Sequence, residues 1–371
     1  MKREALARQR PAVAASEPEQ PAHPRIGPAL VYFPVASMLL AVVAVAAVSI
    51  GSTDIAWSTV VRVVAASILP EGWVDVTGVS ETERVIVWLI RMPRVIVAAL
   101  AGGALAVAGT QLQGIFRNPL AEPSVIGVSQ GAALGAVISF VTDMAMRSAL
   151  WLPLCAFVGA FVALFTVYLI ASRGGRTPIA TLLLAGIALG ALISAVSSLL
   201  ISLSFVNWQV AAEIVFWMMG GLDSRTWTHV WISLPFLTLG LLVSLSHTRD
   251  LDLLLLGEET SASLGVEVET VKRTLLTTAA LLTGAAVAVS GVIGFVGLVV
   301  PHMIRLLLGP SHRTLLPASV LTGALFLIVC DLLARTVHPP TEIRLGIVTA
   351  AFGAPFFLYL LRRRRKEIGY L

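Results

Sequence analysis

Charged side chains are few in this chain, and several lie where apolar stretches begin or end. Arg91 and Arg94 open one such stretch in the sequence RMPR, and Asp331 and Arg335 lie near the end of another. A carboxylate and a guanidinium four residues apart meet on one face of a helix. We therefore expect Asp331 and Arg335 to form a helix-stabilising pair, which is compatible with a further role for Arg335.

One pentapeptide matches a nucleophile pattern. Residues 127–131, GVSQG, fit the G-x-S-x-G sequence, whose serine chemistry requires a strand, a sharp turn and a helix in an α/β sheet. Here the pentapeptide begins a predicted membrane helix and no sheet is predicted. Close packing of small residues between helices is the preferred interpretation, and an intramembrane enzyme is disfavoured.

Metal and thiol chemistry have little support. His302, in PHMIR, is an ionisable residue in an apolar segment, and such residues are functional candidates. No second metal ligand lies near it in sequence, so we predict a helix-end hydrogen bond and no metal site. Cys155 and Cys330 both fall inside predicted spans, where they are expected to fill the core.

The chain lacks a phosphate-binding loop. G-x-x-x-x-G-K-[ST] requires a lysine after a glycine, and none of the three lysines, Lys2, Lys272 and Lys366, follows one. If transport is driven by ATP, we expect ATP and Mg²⁺ to be bound by a separate ATPase and this chain to carry no cofactor.

Composition places these residues in a membrane protein. Of 371 residues, 57% are hydrophobic and 13% charged, and the mean hydropathy is +0.89, whereas soluble domains contain about 25% charged residues. A span needs roughly 20 apolar residues. We predict an all-α polytopic protein with ten transmembrane helices at 31–50, 85–115, 124–142, 149–171, 178–204, 227–246, 272–296, 298–308, 314–335 and 343–361. The eighth is too short to cross alone and must be shielded by protein.

The distribution of basic residues predicts the topology. An even number of spans places both termini on one side, and 18 of the 26 Lys and Arg residues then lie on that side, which the positive-inside rule makes cytoplasmic. All eight tryptophans fall on the other side. We predict a disordered cytoplasmic tail at 1–28, a permease domain at 29–361 and a basic cytoplasmic tail at 362–371.

The longest cytoplasmic connection, residues 247–271, combines leucines with acidic residues. Gly257 and Gly265 divide it into two short helical pieces. Because segments that bind anionic lipid are rich in Lys and Arg, this acidic segment is predicted to dock on a protein.

A weak internal repeat is also present. GGALAVAG (102–109) and GAAVAVSG (284–291) align without gaps, and the same offset pairs Pro119 with Pro301. The two predicted helices run in opposite directions, so this would be an inverted repeat of the kind that builds transport paths.

These features together resemble one family. The motifs that carry the resemblance are RMPR (91–94), RNPLAEPSVIGVSQGAALGA (117–136), LLLAGIALGAL (182–192), LDLLLLGEETSASLGV (251–266), GFVGLVVPHMIRL (294–306), DLLAR (331–335) and LGIVTAAFGAPFF (345–357). In this order they resemble FecCD-type permeases, the membrane subunits of type II ABC importers for vitamin B12, iron-siderophores and haem. Among these the chain looks most like haem-import permeases.

The resemblance implies roles for three groups of residues. Arg91, Arg94 and Arg335 fall on positions that dock a periplasmic binding protein. Coupling helices at about 251–266 would contact the ATPase through Leu253, Leu256, Gly257, Glu258, Glu259, Leu264 and Gly265. The cytoplasmic gate would lie at Thr177, Pro178, Ile179, Ala180 and Thr181, where fewer hydroxyl groups than usual predict an apolar constriction.

The resemblance further implies a homodimer in the bacterial inner membrane, with two ATPase subunits, a binding protein and haem or another iron chelate as cargo. Nucleic acid is not an expected partner. Iron-siderophore or cobalamin transport within the same family is the alternative. An ion-coupled secondary transporter is a competing class, but it needs membrane-embedded carboxylates, and the centres of the predicted spans contain almost none.

Overall fold

A computed structural model describes residues 26–368, and it is helical throughout. The predicted N-terminal tail lies outside the described residues up to position 25. No β-strand occurs within residues 26–368 apart from an isolated bridge between Arg173 and Arg176. The helices are α1 (Ile26–Ser49), α2 (Trp57–Ile68), α3 (Glu81–Val85), α4 (Met92–Ile115), α5 (Val128–Val141), α6 (Met144–Arg147), α7 (Trp151–Ala171), α8 (Ile179–Ser204), α9 (Trp208–Met218), α10 (Trp227–Ser246), α11 (Thr248–Leu254), α12 (Glu258–Ser263), α13 (Val268–Ser290), α14 (Val296–Leu308), α15 (His312–Thr336) and α16 (Leu345–Ile368).

The helices agree with the predicted spans. Each of the ten predicted spans corresponds to a helix, and in the described part of the chain seven helices are long and apolar enough to cross a membrane. The short α14 is shielded by protein as predicted, because its first six residues, 296–301, are all buried. Four helices were missed in segments predicted as loops: α2 and α9, which have 12 and 11 residues, and the shorter α3 and α6.

Helix α4 forms the centre of the bundle. Every residue from Leu100 to Ile115 is buried, and α4 packs against α10, α13, α14 and α15. Glycines allow this close approach: a Cβ at Gly102 would collide with the Gly323 carbonyl of α15, and one at Gly109 with the Gly297 carbonyl of α14. The small residues of α4 therefore serve helix–helix packing.

Helices α4 and α15 are antiparallel and define two ends of the bundle. The end where Arg94 of α4 meets Asp331 of α15 is called the arginine end. At the opposite end Gly114 lies beside His312, next to the 247–271 segment, and this is called the loop end. The helix directions place all eight tryptophans toward the arginine end. Two of them, Trp88 and Trp227, stack with ring centroids 4.8 Å apart.

The repeated helices run in opposite directions. Helix α4 leads from the arginine end to the loop end, and α13 returns from the loop end, as an inverted repeat requires. The proposed pairing of prolines is wrong, however. Pro119 lies in the turn that follows α4, whereas Pro301 lies inside α14.

Candidate functional site

The G-x-S-x-G pentapeptide is a packing element. Gly127 has φ +78° and precedes α5, where it faces the backbone of Gly186 and Gly190 in α8. A Cβ at Gly131 would collide with Gly159 and Ala163 of α7. These contacts agree with close helix packing and provide no strand–turn–helix for a nucleophile.

His302 lies partly buried in α14, and Cys155 and Cys330 are free cysteines in α7 and α15. Within residues 26–368 no group of three or more His, Cys, Asp or Glu side chains is placed to hold a metal ion.

At the arginine end, Arg94 forms two ion pairs. Its Nε and Nη2 donate to the Asp331 carboxylate at 3.0 and 2.8 Å, and its Nη1 and Nη2 donate to Glu342 at 2.9 and 2.7 Å. The Asp331 side chain is only 2% exposed. A guanidinium can bind two carboxylates at once because its donors form a planar fork. Arg94 therefore joins α4 to α15 and to the segment before α16.

Arg91 and Arg335 cap the C-terminus of α1. Arg91 Nη1 donates to the carbonyls of Val48 and Ser49, both at 2.8 Å, and Arg335 Nη2 donates to Ala47 at 2.7 Å. The last four carbonyls of a helix lack intrahelical partners and attract cations. These two arginines therefore satisfy carbonyls that would otherwise have no donor.

The predicted Asp331–Arg335 pair is present, with Arg335 Nε 3.3 Å from Asp331 Oδ2. Asp331 thus serves Arg94 and Arg335 together. All three arginines predicted to dock a binding protein form contacts inside the fold. These contacts are a further reason for a positive charge at each position, besides the bilayer and a partner. Their docking role remains a prediction.

The same end carries a more accessible ion pair that the sequence did not reveal. Arg344 Nη1 lies 3.1 Å from Asp223 Oδ1, with side chains 26% and 55% exposed. The Arg344 guanidinium also lies 4.5 Å from the Phe216 ring centroid. Nearby, Arg225 donates to the Val289 carbonyl, and burial lowers the pKa of its guanidinium. A partner could therefore reach Arg344 and Asp223, as it could other exposed charges at this end such as Arg84.

At the loop end, the predicted coupling segment forms two short helices, α11 and α12. Gly257, with φ +112°, separates them, and Gly265, with φ +89°, follows α12. The prediction that these glycines divide the segment is confirmed. Leu251 and Leu254 are buried beneath it. Leu253 and Gly257 are half-buried, whereas Leu256, Glu259, Leu264 and Gly265 are exposed.

Helix α11 is held on α15. The Asp252 carboxylate accepts hydrogen bonds from the His312 backbone amide at 2.8 Å and from Ser311 Oγ at 3.3 Å, and it lies 2.6 Å from His312 Nδ1. The His312 side chain is fully buried. One half of the coupling segment is thus fixed to the start of a bundle helix.

Helix α12 is held on α13 by Lys272, whose side chain is 3% exposed. Its Nζ lies 3.2 Å from Glu258 Oε2, 2.7 Å from Glu269 Oε1 and 2.8 Å from the Thr177 carbonyl. The Thr177 amide donates to Glu269 Oε2 at 3.1 Å. Both backbone polar groups of Thr177 are therefore held by side chains of α13.

The predicted gate residues surround this contact. Thr177 is buried, and its hydroxyl lies 3.0 Å from Ser172 Oγ. Pro178 immediately precedes α8, Ile179 is half-buried, and Ala180 and Thr181 are exposed in the single chain. The segment thus starts in a polar, buried contact and continues with small and apolar side chains.

A cavity of about 220 Å³ lies between α5, α8 and the segment before α14. Its polar lining was not anticipated from the sequence: Glu122, Ser129, Gln130, Ser194 and Ser197 line it. Ser197 Oγ and Gln130 Oε1 are buried and accept no hydrogen bond within the described residues. A polar lining that includes two side-chain oxygens without partners can receive a polar group.

Two glutamines of α4 were also missed. Gln111 Nε2 donates to Ser244 of α10 at 2.5 Å, and Gln113 Nε2 donates to the Gly297 carbonyl of α14 at 3.1 Å. Both are buried. Polar residues in an apolar helix are the signal that could have identified them, since such side chains bind neighbouring helices.

Comparison with known proteins identifies the class. The FecCD transport family matches residues 39–363, and the chain belongs to this family. It is a multi-pass membrane protein with the architecture of an ABC importer permease subunit.

Named relatives indicate the range of cargo in the family. The chain is 48% identical over 287 residues to the cobalamin import system permease protein BtuC of Halobacterium salinarum, covering 77% of this chain and 76% of that protein. It is 44% identical to the hemin transport system permease protein HmuU of Yersinia pestis, covering 76% and 84%. The Fe(3+) dicitrate permease FecD of Escherichia coli is 42% identical, covering 74% and 84%.

A solved structure supports the same fold. An inward-facing conformation of a metal-chelate type ABC transporter superposes with a TM-score of 0.78 at 30% sequence identity. The match covers 90% of this chain and 99% of that one. The predicted type II importer fold is confirmed.

Proposed function

We propose that this chain is the permease subunit of an ATP-driven importer that carries a metal chelate into the cytoplasm, with haem as the first cargo to test. The family and the names of its relatives support this proposal, and cobalamin or a ferric siderophore fits them equally. The polar cavity beside α8 would accept the polar groups of such a chelate, and the apolar faces around it would accept the macrocycle.

The observation that carries the proposal is the outward side of the coupling segment. Leu256 and Leu264 are 62% and 51% exposed beside the exposed Glu259, although the segment is fixed to α13 and α15 from beneath. Apolar side chains held outward on a fixed segment provide a protein-docking surface. An ATPase subunit is the partner we propose for it, which makes the loop end cytoplasmic.

The remaining assembly is proposed on the basis of this orientation and of the family. We propose a homodimer in the bacterial inner membrane with two ATPases at the loop end and a periplasmic binding protein at the arginine end, both termini being cytoplasmic. In this dimer the large apolar side chains of α8 that are exposed in the single chain, including Leu184, Leu192 and Leu203, would face the second copy.

The test is ATP-driven uptake by the assembled transporter in proteoliposomes. Haem, cobalamin and a ferric siderophore are offered separately, each with its binding protein, and haem uptake that requires the ATPase is the expected result. Uptake of another chelate would reassign the cargo. Uptake that follows an ion gradient without ATP, or ATP hydrolysis by this chain alone, would overturn the proposal.

A matched pair of variants tests the docking surface. Glu259 is exposed and Glu258 is paired with Lys272, so Glu259→Lys changes only the outer side. We expect Glu259→Lys to weaken copurification of the ATPase, while Glu267→Lys, at an exposed position just beyond α12, leaves it unchanged. Equal retention by both variants would contradict this docking surface.

A further inference from the structure

We infer that Lys272 is a positioning residue that transmits movement of α12 to the start of α8, and so links ATPase docking to the gate. This inference rests on the proposed function of the two segments. Glu258 begins the second half of the coupling segment, Thr177 begins the gate segment, and Lys272 Nζ binds both.

Helix α13 by itself does not favour a lysine at position 272. It lies in the second turn of α13, near the positive end of the helix dipole, where a cation is unfavourable. Burying an ammonium group also carries a desolvation cost of several kcal/mol. Three oxygen acceptors from α12, α13 and the residue before Pro178 offset that cost. The contact is thus a junction of three segments.

The three contacts of Lys272 differ in distance and in exposure to solvent. Lys272 lies 2.7 Å from Glu269 and 2.8 Å from the Thr177 carbonyl, but 3.2 Å from Glu258, whose side chain is 36% exposed. The contact of Lys272 with Thr177 is therefore short and buried, whereas its contact with Glu258 of α12 is longer and partly in solvent. Movement of α12 would release Glu258 first and leave Lys272 held by the gate.

Release of Glu258 would change the hydrogen bonds that Lys272 and Glu269 form with Thr177. Without that carboxylate, the full donor capacity of Lys272 is directed at Glu269 and the Thr177 carbonyl, and the Thr177 amide competes for the same Glu269. Two arrangements of one cation thus correspond to two states of the segment that begins α8. A ligand or partner shifts such an equilibrium only through differential contacts of this kind.

The other half of the coupling segment lacks this route. Asp252 of α11 binds Ser311 and His312 at the start of α15, whereas Thr177 is hydrogen-bonded to Ser172, Glu269 and Lys272. Helix α12 therefore acts on the gate, whereas α11 anchors the segment on the bundle.

The first experiment uses the assembled transporter. In proteoliposomes, ATP hydrolysis and cargo uptake are measured together for wild type, Lys272→Met, Lys272→Arg and Arg273→Met. Arg273 is exposed, lies next along α13 and contacts Tyr168, so Arg273→Met is the matched control for loss of one charge. We expect Lys272→Met to raise ATP consumed per cargo molecule by about tenfold, within the 5- to 150-fold range of coupling between sites. Lys272→Arg should restore part of the coupling, and Arg273→Met should remain close to wild type.

The second experiment does not depend on transport. Hydrogen–deuterium exchange of the purified chain is measured at residues 177–182 with and without Glu258→Gln. The hydrogen bonds and ion pair of the Glu258 carboxylate go to Lys272, so faster exchange at 177–182 in Glu258→Gln supports transmission through Lys272. The double variant Glu258→Gln/Lys272→Met should exchange no faster than Lys272→Met alone.

Unchanged exchange at 177–182 in Glu258→Gln, or a wild-type ratio of ATP to cargo in Lys272→Met, would overturn the inference. Absence of ATP-driven uptake by wild type would instead contradict the proposed function, and the exchange experiment would still decide the role of Lys272.

Discussion

The two ends of the bundle both contain buried ion clusters, but they connect different kinds of elements. At the arginine end, three arginines, Asp331 and Glu342 join α1, α4, α15 and the segment before α16. At the loop end, Lys272, Glu258 and Glu269 join α13 to the six-residue α12 and to the single residue Thr177. The first cluster links long helices, and the second links two short segments, bounded by glycine or proline, to one long helix.

The two clusters also differ in their cations, which are arginines at the arginine end and a lysine at the loop end. Arginine presents five donors in a fixed fork, whereas lysine is a compact point charge on a flexible stem. An arginine guanidinium that is shared between several helices holds one arrangement. A lysine among three oxygens can change partners without leaving the site. This difference indicates that the arginine end stabilises the bundle and the loop end is suited to movement.

Asp331 should be the most sensitive position in this comparison. Asp331→Asn removes the shared anion of Arg94 and Arg335 and leaves two buried cations short of charge. Removing one partner of a buried ion pair costs about 3–5 kcal/mol, and we expect a loss of that size in the free energy of unfolding in lipid bicelles. Glu342→Gln is the control because Glu342 is 39% exposed, and it should cost less than about 1 kcal/mol. Equal losses would contradict the central role of Asp331.

Arg91 should rank second. Arg91→Met leaves the carbonyls of Val48, Ser49 and Thr53 without their donor. Hydrogen bonds to a charged group contribute about 1.5–3 kcal/mol, and the loss should be concentrated at the C-terminus of α1. Hydrogen exchange at residues 48–55 should therefore accelerate more than exchange in α15. Uniform acceleration throughout the chain would argue against a local capping role.

How far the sequence predicted these clusters depends on the range of the interactions. The pair Asp331–Arg335 was predicted because four residues form one helical turn. Arg94 and Asp331 are 237 positions apart, and only the antiparallel packing of α4 on α15 brings them together. The sequence marks Lys272 only as a lysine that follows no glycine. Glu269 has helical spacing to it, but Glu258 lies 14 positions away across Gly265 and Thr177 lies 95 positions away, and neither of these separations has a periodic signal.

The helices, too, were predicted from sequence only where a local pattern marks them. The ten spans were identified because lipid requires about 20 apolar residues, and Gly257 and Gly265 marked the division of the coupling segment. Helices α2 and α9 were missed because 12 or 11 amphipathic residues in a loop carry no such length signal. The polar cavity was also missed, because Glu122, Gln130 and Ser197 come from three separate elements.

Glycine contacts compare the centre of α4, where Gly102 lies, with its loop end, where Gly114 lies. A Cβ at Gly102 would collide with the backbone of Gly323, whereas a Cβ at Gly114 would meet the ends of the His312 and Leu251 side chains at 2.9 Å. Backbone cannot move aside cheaply, so Gly102→Ala should cost about 1–3 kcal/mol. Gly114→Ala should cost less, because the side chains can shift and alanine favours the helix by about 1 kcal/mol. Unfolding in bicelles gives both values, and a larger loss for Gly114→Ala would reverse this ranking.

The smallest effect on stability is expected at Arg344, and this position separates docking from folding. Arg94→Glu would place a third carboxylate beside Asp331 and Glu342, so reduced binding-protein association in that variant would reflect a damaged arginine end. Arg344 pairs with the 55% exposed Asp223, and exposed pairs contribute about 0–1 kcal/mol. Arg344→Glu should therefore leave unfolding within about 1 kcal/mol of wild type.

If the binding protein docks at the arginine end, the same variant should slow association and weaken its dependence on salt, because rim charges act mainly on the association rate. Surface plasmon resonance with the purified binding protein measures both quantities. Arg84→Glu, at a side chain 65% exposed in α3, is the control for a charge change elsewhere on this surface. An association rate lowered equally by both variants would indicate general electrostatic steering and would argue against a specific contact at Arg344.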